Sequence, residues 1–284
     1  MNPVFSCQVS VGFFRGIDCY SVYSPGICLG SSPCSQNSST PFYRQDLENP
    51  YTIIVPYRLI TTQSEEEFVT QATQILRGRI ASAIAKTGMC ILGLSGGSTP
   101  QTIYDALGEE NIDWQKVWIF LVDERYVDPQ NPQSNQRLIR ETLLAHAPIP
   151  EEQMLFFDTT LPIEECMAQY TQGFKEMITE YLPHIVVLGM GEDGHIASLF
   201  PPLPEEALGD QRYVVHTQTD RFAVHDRVSL ALNPLAAAQE VLMLLKGKGK
   251  KRIWEEMLAS DEGEQRWPAK RVLENRATTV ISLW

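Results

Sequence analysis

The sequence contains no apolar run near the ~18 to 20 residues that span a bilayer. Positive charge is also scarce. Lys and Arg number 23 against 35 Asp and Glu, a formal net charge of −12. That balance argues against generic binding to nucleic acid or an anionic membrane. It does not exclude an anionic small molecule, which a few local cations and backbone N–H groups can hold inside an acidic protein. Metal-ligand spacings are missing too. The six cysteines show no convincing zinc or CxxC spacing, and Cys7, Cys19, Cys28 and Cys34 all fall in the head of the chain. His146, His184, His216 and His225 have no ligand spacing either. No metal or other cofactor is therefore expected. The basic start and apolar run of a signal peptide are not clear, and only Arg15 and Arg44 occur in the first 45 residues. The expected location is cytoplasmic.

The 284 residues, 43% of them hydrophobic, suffice for a sizeable core. Residues 1–45 are rich in Ser, Cys, Gly and Pro, with few charges and no periodicity. They read as a poorly ordered extension, and 46–284 as a single α/β domain without repeats or linkers. Apolar runs predict strands at 51–55, 89–94, 117–122, 185–188, 213–216, 228–232, 241–245 and 279–283. Helices are expected at 64–86, 100–107, 135–145, 163–181 and 250–259. Ser64 and Glu67 form a capping-box signature for the first of these. Pro100 suits a first helical turn, and Thr99 is the expected cap before it. Short two-sided apolar strands alternating with helices imply a mostly parallel sheet with helices on both faces.

Four motifs carry candidate chemistry. The run His184 to Phe200, HIVVLGMGEDGHIASLF, is a strand that breaks into Gly189, Gly191 and Gly194, with Asp193 and His195 in the break. Histidine is well suited to move a proton near neutral pH. Taken alone, the motif also fits a tight turn in which His195 caps a helix. In GLSGGSTPQTIYDAL, Gly93 to Leu107, a strand runs through glycines into a helix start. Gly96 and Gly97 let backbone N–H groups approach an anion, while Ser95, Ser98 and Thr99 add hydroxyls. The motif has neither the Walker GK[ST] ending nor GxGxxG spacing, and a plain turn is its alternative. In VWIFLVDERYV, Val117 to Val127, Asp123, Glu124 and Arg125 close a strand. A solvated turn is the usual reading of such charges; lining a ligand crevice is the other, and Arg125 suits phosphate or carboxylate. Ser134 and Asn135 follow, as a helix cap or as partners of a substrate hydroxyl. Finally come Arg227, Asn233 and KGKGKK, Lys246 to Lys251. In a parallel sheet all strand carboxyl ends share one edge, so the four polar loops are expected to form one site. That site would join an anion cradle to an acid–base pair.

These residues resemble the 6-phosphogluconolactonases, within the wider glucosamine-6-phosphate isomerase/deaminase superfamily. The resemblance runs from about Tyr51 to Pro268. It rests on SGGSTP, VDERYV with the later SN, GMGEDGHIASLFP, and the Arg227, Asn233 and Lys250 region. It implies a Rossmann-like three-layer α/β sandwich that hydrolyses 6-phosphogluconolactone in the pentose phosphate pathway. His195 would be the general base on water, oriented by Asp193 beside Gly194. The loop Ser95 to Thr99 would hold the phosphate or ring hydroxyls, together with Asp123, Glu124, Arg125, Asn135, Gly194, Arg227 and Lys250. Gln133 departs from the family, which often has aspartate there, and the choice between Lys248 and Lys250 stays open. Two competing readings stand beside this one. Glucosamine-6-phosphate isomerases usually carry a glutamate five residues after the histidine, where Phe200 stands here. A non-catalytic phosphosugar-binding protein would lose the base. The expected partner is a phosphorylated sugar lactone, with no nucleic acid and no membrane, in a monomer or homodimer.

Overall fold

Strands buried on both faces form the centre of this molecule. The computed structural model describes residues 57–284, apart from Asp210, Arg276 and the side chain of Asn275. The expected strand at 51–55 and the segment 1–45 lie outside the described residues. The first half runs β1 (Arg58–Thr61), α1 (Glu65–Thr87), β2 (Cys90–Leu94), α2 (Ser98–Gly108), β3 (Val117–Leu121), β4 (Asp123–Arg125), α3 (Asn135–Glu141), α4 (Leu143–His146) and β5 (Met154–Leu155). There follow α5 (Ile163–Met177), β6 (Ile185–Leu188), α6 (Glu205–Leu208), β7 (Val214–Gln218), β8 (Asp226–Leu230), α7 (Leu232–Ala236), β9 (Glu240–Lys246), α8 (Lys248–Ala259), α9 (Pro268–Asn275) and β10 (Ala277–Leu283).

Seven strands pair in parallel, in the order β1-β10-β9-β6-β2-β3-β5. Every residue of β2 and β6 is buried, which is why both read as continuous apolar runs. Right-handed crossovers put α1 and α2 on one face and α8 on the other. Gly93 sits in the middle of β2 because the Phe120 ring of β3 lies across it; an added Cβ would come 2.5 Å from that ring. Phe120 in turn meets Phe174 of α5 edge-on at 5.1 Å.

Helix α1 starts as its sequence dictates. Ser64 Oγ accepts the Glu67 N–H at 3.1 Å. The Glu67 carboxylate reaches back to Gln63 N–H at 2.8 Å, one residue beyond the usual capping-box partner. Gly88, at φ 84°, ends the helix in the left-handed conformation that glycine adopts freely.

Other boundaries differ from expectation. Helix α2 begins at Ser98 and α8 at Lys248, each about a turn or less early. The helix expected over 135–145 breaks at Thr142, whose hydroxyl bonds the Leu138 carbonyl at 2.7 Å. The expected strands near 213 and 228 do not join the main sheet. With β4 they form a separate antiparallel sheet, in the order β4-β8-β7. Val122 joins the two sheets. Its N–H bonds Leu94 of the parallel sheet at 3.0 Å, and its carbonyl accepts from Leu230 of the small one at 2.8 Å.

Strands β9, β6, β2 and β3 are adjacent, so the loops leaving them meet at one edge. The chain proceeds from β2 to β3 on one side and later returns to β6 on the other. That reversal, between β2 and β6, is the place where open α/β sheets offer a crevice.

Candidate active site

A cleft of about 750 Å³ opens at this edge. One wall is the glycine loop, with Ser95, Gly96, Gly97, Ser98 and Thr99 all lining it. Gly97 takes φ 103° and caps α2, with no side chain bonding the exposed N–H groups. Thr99 is therefore inside the first turn of the helix and not its cap, since the left-handed Gly97 already turns the chain into the helix. The N-terminus of α2 is left free to receive an anion. Gly96 is needed for a different reason: an added Cβ would overlap the Asn135 side-chain amide.

The loop after β6 brings the acid and the base together. His195 Nδ1 and Asp193 Oδ1 lie 2.5 Å apart, and His195 lines the cleft with Asp193 behind it. Gly191 makes this possible, because a Cβ there would collide with the His195 ring and come 2.5 Å from Asp193 Oδ1. Burial alone would push the Asp193 carboxyl up. Its hydrogen bond with His195 and the charge of that ring prevail and hold it well below the usual carboxylate range. Gly194 does not line the cleft, contrary to its expected place among the binding residues; it packs against Trp267 at φ 91° and serves the turn. Ala197, a cleft residue, is held at φ 48°, a left-handed geometry costing about 1 to 2 kcal/mol for a residue with a Cβ. Phe200 and Phe222 flank the His195 ring, with centroids at 4.7 and 5.8 Å.

Cations line the opposite side. Arg125 and Arg227 are register partners on β4 and β8, so two like charges face each other across the small sheet. Arg227 is only 6% exposed, with Nε donating to the Val224 carbonyl at 3.1 Å. Burial and then the neighbouring Arg125 lower its pKa to about 10. Arg125 Nη1 donates to the Gln133 carbonyl at 2.7 Å, while its buried Nε has no partner. Of the lysines left open by sequence, Lys250 enters the cleft and bonds the Met190 carbonyl, whereas Lys248 does not line it. Burial depresses Lys250, with Glu192 and Asp193 opposing. Lys246 also lines the cleft and pairs with Glu65 at 2.6 Å.

The two carboxylates of β4 divide between two tasks. Asp123 lines the cleft and accepts the Ser198 hydroxyl at 2.6 Å. Glu124 does not line it, contrary to its expected place among the binding residues. Strand alternation turns it the other way, where it caps α3: it accepts Asn135 N–H at 2.7 Å, Gln136 N–H at 2.8 Å and the Ser134 hydroxyl at 3.1 Å. Glu124 thereby fixes Asn135, whose Nδ2 donates to the Asp123 carbonyl at 2.9 Å. The Asn135 Oδ1 is buried beside Gly96 without a donor. Among the described residues, no cluster of His, Cys, Asp or Glu could hold a metal ion.

The sequence profile of the glucosamine-6-phosphate isomerases/6-phosphogluconolactonase matches residues 63–281, most of the chain. The chain belongs to this family. A probable 6-phosphogluconolactonase of Dictyostelium discoideum is 37% identical over 224 residues, covering 78% of this chain and 95% of that protein. The 6-phosphogluconolactonase of Synechocystis is 31% identical, over 73% of this chain and 87% of its own length. Among solved structures, the 6-phosphogluconolactonase of Thermotoga maritima superposes with a TM-score of 0.71 at 29% identity, covering 79% of this chain and all of that one. The Plasmodium vivax enzyme gives 0.73 at 27% identity, covering 80% and 91%. The parallel α/β architecture is thus that of known 6-phosphogluconolactonase structures.

In this family member, several residues at the site were not singled out by the sequence motifs. Ser198 was legible only as a residue of the glycine-rich stretch, yet it orients Asp123. Phe222 and Arg221 come from the polar loop joining β7 to β8, where no periodicity marks them. Arg221 Nη1 lies 2.7 Å from Asp193 Oδ2.

Proposed function

We propose that this chain is a 6-phosphogluconolactonase that opens the lactone of 6-phospho-D-glucono-1,5-lactone with water, His195 acting as general base. The observation that carries this reading is the Asp193–His195 pair in a cleft that also holds the Arg125–Arg227 pair. With Nδ1 bonded to Asp193 at 2.5 Å, the proton of a neutral imidazole resides on Nδ1. Nε2 is then the nitrogen available to take a proton. In the proposed step a water loses its proton to Nε2 and its oxygen adds to the lactone carbonyl. The tetrahedral intermediate then expels the ring oxygen, which receives the proton back from the imidazolium. Asp193 steadies the charged ring. No covalent intermediate is needed, because a lactone is already an activated ester, and positioning with proton transfer suffices.

The binding roles follow from chemistry. Two opposed arginines, one with an unpartnered buried Nε, suit a phosphate dianion. The free N-terminus of α2 suits either that phosphate or the developing carbonyl oxyanion. Asn135 Oδ1, a buried acceptor without a donor, suits a ring hydroxyl. Phe200 favours hydrolysis over isomerisation. Its ring packs beside His195 where the isomerases usually have a glutamate, so the carboxylate expected to assist sugar ring opening is absent. The test is lactone hydrolysis by the purified protein, run beside deamination of glucosamine 6-phosphate. Accelerated hydrolysis without deamination supports the proposal; the reverse pattern refutes it.

A further inference from the structure

The loop 219–225 joins β7 to β8 and brings two adjacent residues against the acid–base pair. Arg221 Nη1 lies 2.7 Å from Asp193 Oδ2, the oxygen that does not serve His195. Phe222 meets the His195 ring edge-on at 5.8 Å and lies 5.6 Å from the Arg227 guanidinium. The loop therefore touches the acid with one residue and the base with the next. Its own fold is fixed at the stem. Thr219 N–H bonds the His225 carbonyl at 3.1 Å, and Arg221 N–H bonds Thr219 Oγ1 at 3.2 Å. Two histidine–carboxylate contacts flank it, His216 Nε2 with Asp226 at 2.8 Å and His225 Nε2 with Asp220 at 2.9 Å. Phe222 lines the cleft and is 47% exposed despite its large apolar ring.

We propose that Arg221 is a positioning residue for the hydrolysis, holding Asp193 in the orientation that serves His195. The proposal rests on His195 being the base. A carboxylate can rotate about its Cβ–Cγ bond, and here Oδ1 alone is held, by the His195 ring at 2.5 Å and more loosely by the His195 N–H at 3.3 Å. Arg221 pairs with the other oxygen by charge and not through a formed hydrogen bond, and that attraction opposes the rotation. Backbone contacts hold the same residue from behind, with Arg266 Nη1 donating to the Asp193 carbonyl at 3.0 Å. The other charges near Asp193 are Glu192, Lys250 and Arg266; Arg266 bonds the backbone carbonyl and Lys250 the Met190 carbonyl, so Arg221 is the cation that pairs with the carboxylate itself. Arg221 is 59% exposed and its partner 11%, so the ion pair is screened and its effect is modest.

The test is steady-state kinetics of Arg221→Gln and Arg221→Lys on 6-phosphogluconolactone, with each change also made in His195→Ala. Arg221→Gln should lower kcat about two- to five-fold and leave KM unchanged, the range set by a screened ion pair. Arg221→Lys should recover most of that loss. Salt at about 1 M, where the Debye length is ~3 Å, should bring the wild type towards Arg221→Gln. In the His195→Ala background Arg221→Gln should cost nothing further, because a clamp without its base has nothing to orient. A raised KM at normal kcat would overturn the inference and make Arg221 a substrate contact. An equal loss in both backgrounds would overturn it alone, leaving His195 as the base. Near-normal turnover by a folded His195→Ala variant would overturn both.

Discussion

Arg227→Ala should raise KM for the phosphorylated lactone and hardly affect the unphosphorylated one. In the folded chain Arg227 faces Arg125 across the β4–β8 pair and is almost fully buried. Like charges directly opposite on antiparallel strands are destabilising. Here the proximity is sharp enough to contribute, after burial, to an Arg227 pKa of about 10. Such a pair has reason to persist if an anion sits between its members in use. One charge-assisted hydrogen bond to that anion contributes about 1.5 to 3 kcal/mol, or about ten- to a hundred-fold in affinity. Losing Arg227 removes that much and also removes the repulsion in the empty site, so stability without ligand should change less than binding does. Two assays read this. Kinetics on both lactones give the ratio of KM changes, and thermal denaturation with and without inorganic phosphate gives the linkage. Phosphate at ~100 times its Kd should stabilise the wild type by about 2.7 kcal/mol and the variant by far less. An equal fractional loss on the two lactones would refute the assignment. Phosphate anchoring would then rest on the α2 N-terminus, Arg125 and Lys250.

Three further outcomes are expected. His195→Ala should lower kcat by about 100-fold or more in a folded protein, and Asp193→Asn should also slow turnover, both read by single-substrate kinetics with circular dichroism as the folding control. Gly93→Ala should destabilise the protein by about 1 to 3 kcal/mol, because its Cβ would meet the Phe120 ring; an unchanged denaturation midpoint would show that Phe120 can move freely. Burial raises the Glu124 carboxyl from 4.5 to about 7, against the opposing backbone N–H groups of α3, so the folded state binds a proton that the unfolded chain has lost. Its contribution is fully present below 4.5 and lost as pH rises through 7; relative to Glu124→Gln, the wild type should lose about 3 kcal/mol over that window in denaturant titrations, and parallel pH curves would contradict this.

What was legible in the sequence was what burial on two faces writes into it. Strands β2, β3, β6 and β9 appear as apolar runs because helices cover both sides of the parallel sheet. The loops after them are polar because they leave the core at one edge. The convergence of the glycine loop, Asp123, His195 and the lysine run was therefore expected from the sequence, while the choice of Lys250 within that run was not. The small sheet was not. Strand β4 is the three residues Asp-Glu-Arg, which look like a solvated turn until β8 pairs with them. Strand β5 is only two residues long. Glu124 illustrates the same limit for a site residue. A charge next to Asp123 at a strand end looks like a second cleft group. Only the α3 N-terminus, supplied by a helix eleven residues on, reveals a capping carboxylate. Arg221 lies in a loop whose composition gives no periodic signal, and its partner is in another loop altogether.

The two sheets divide the proposed work. Loops of the parallel sheet bring the anion-receiving helix end and the Asp193–His195 pair. The small antiparallel sheet brings both arginines, and its hairpin brings Arg221 and Phe222. Val122, between β3 and β4, is bonded to Leu94 in one sheet and Leu230 in the other, and so links the two. A lactone held by its phosphate at the small sheet would then present its carbonyl to the parallel one. Changes at Arg125 or Arg227 should act on KM first, and changes at Asp193 or His195 on kcat. Arg221 belongs to the small sheet by sequence and to the chemistry by contact. Its predicted effect on kcat alone is therefore the sharpest check on whether the division follows contacts or elements.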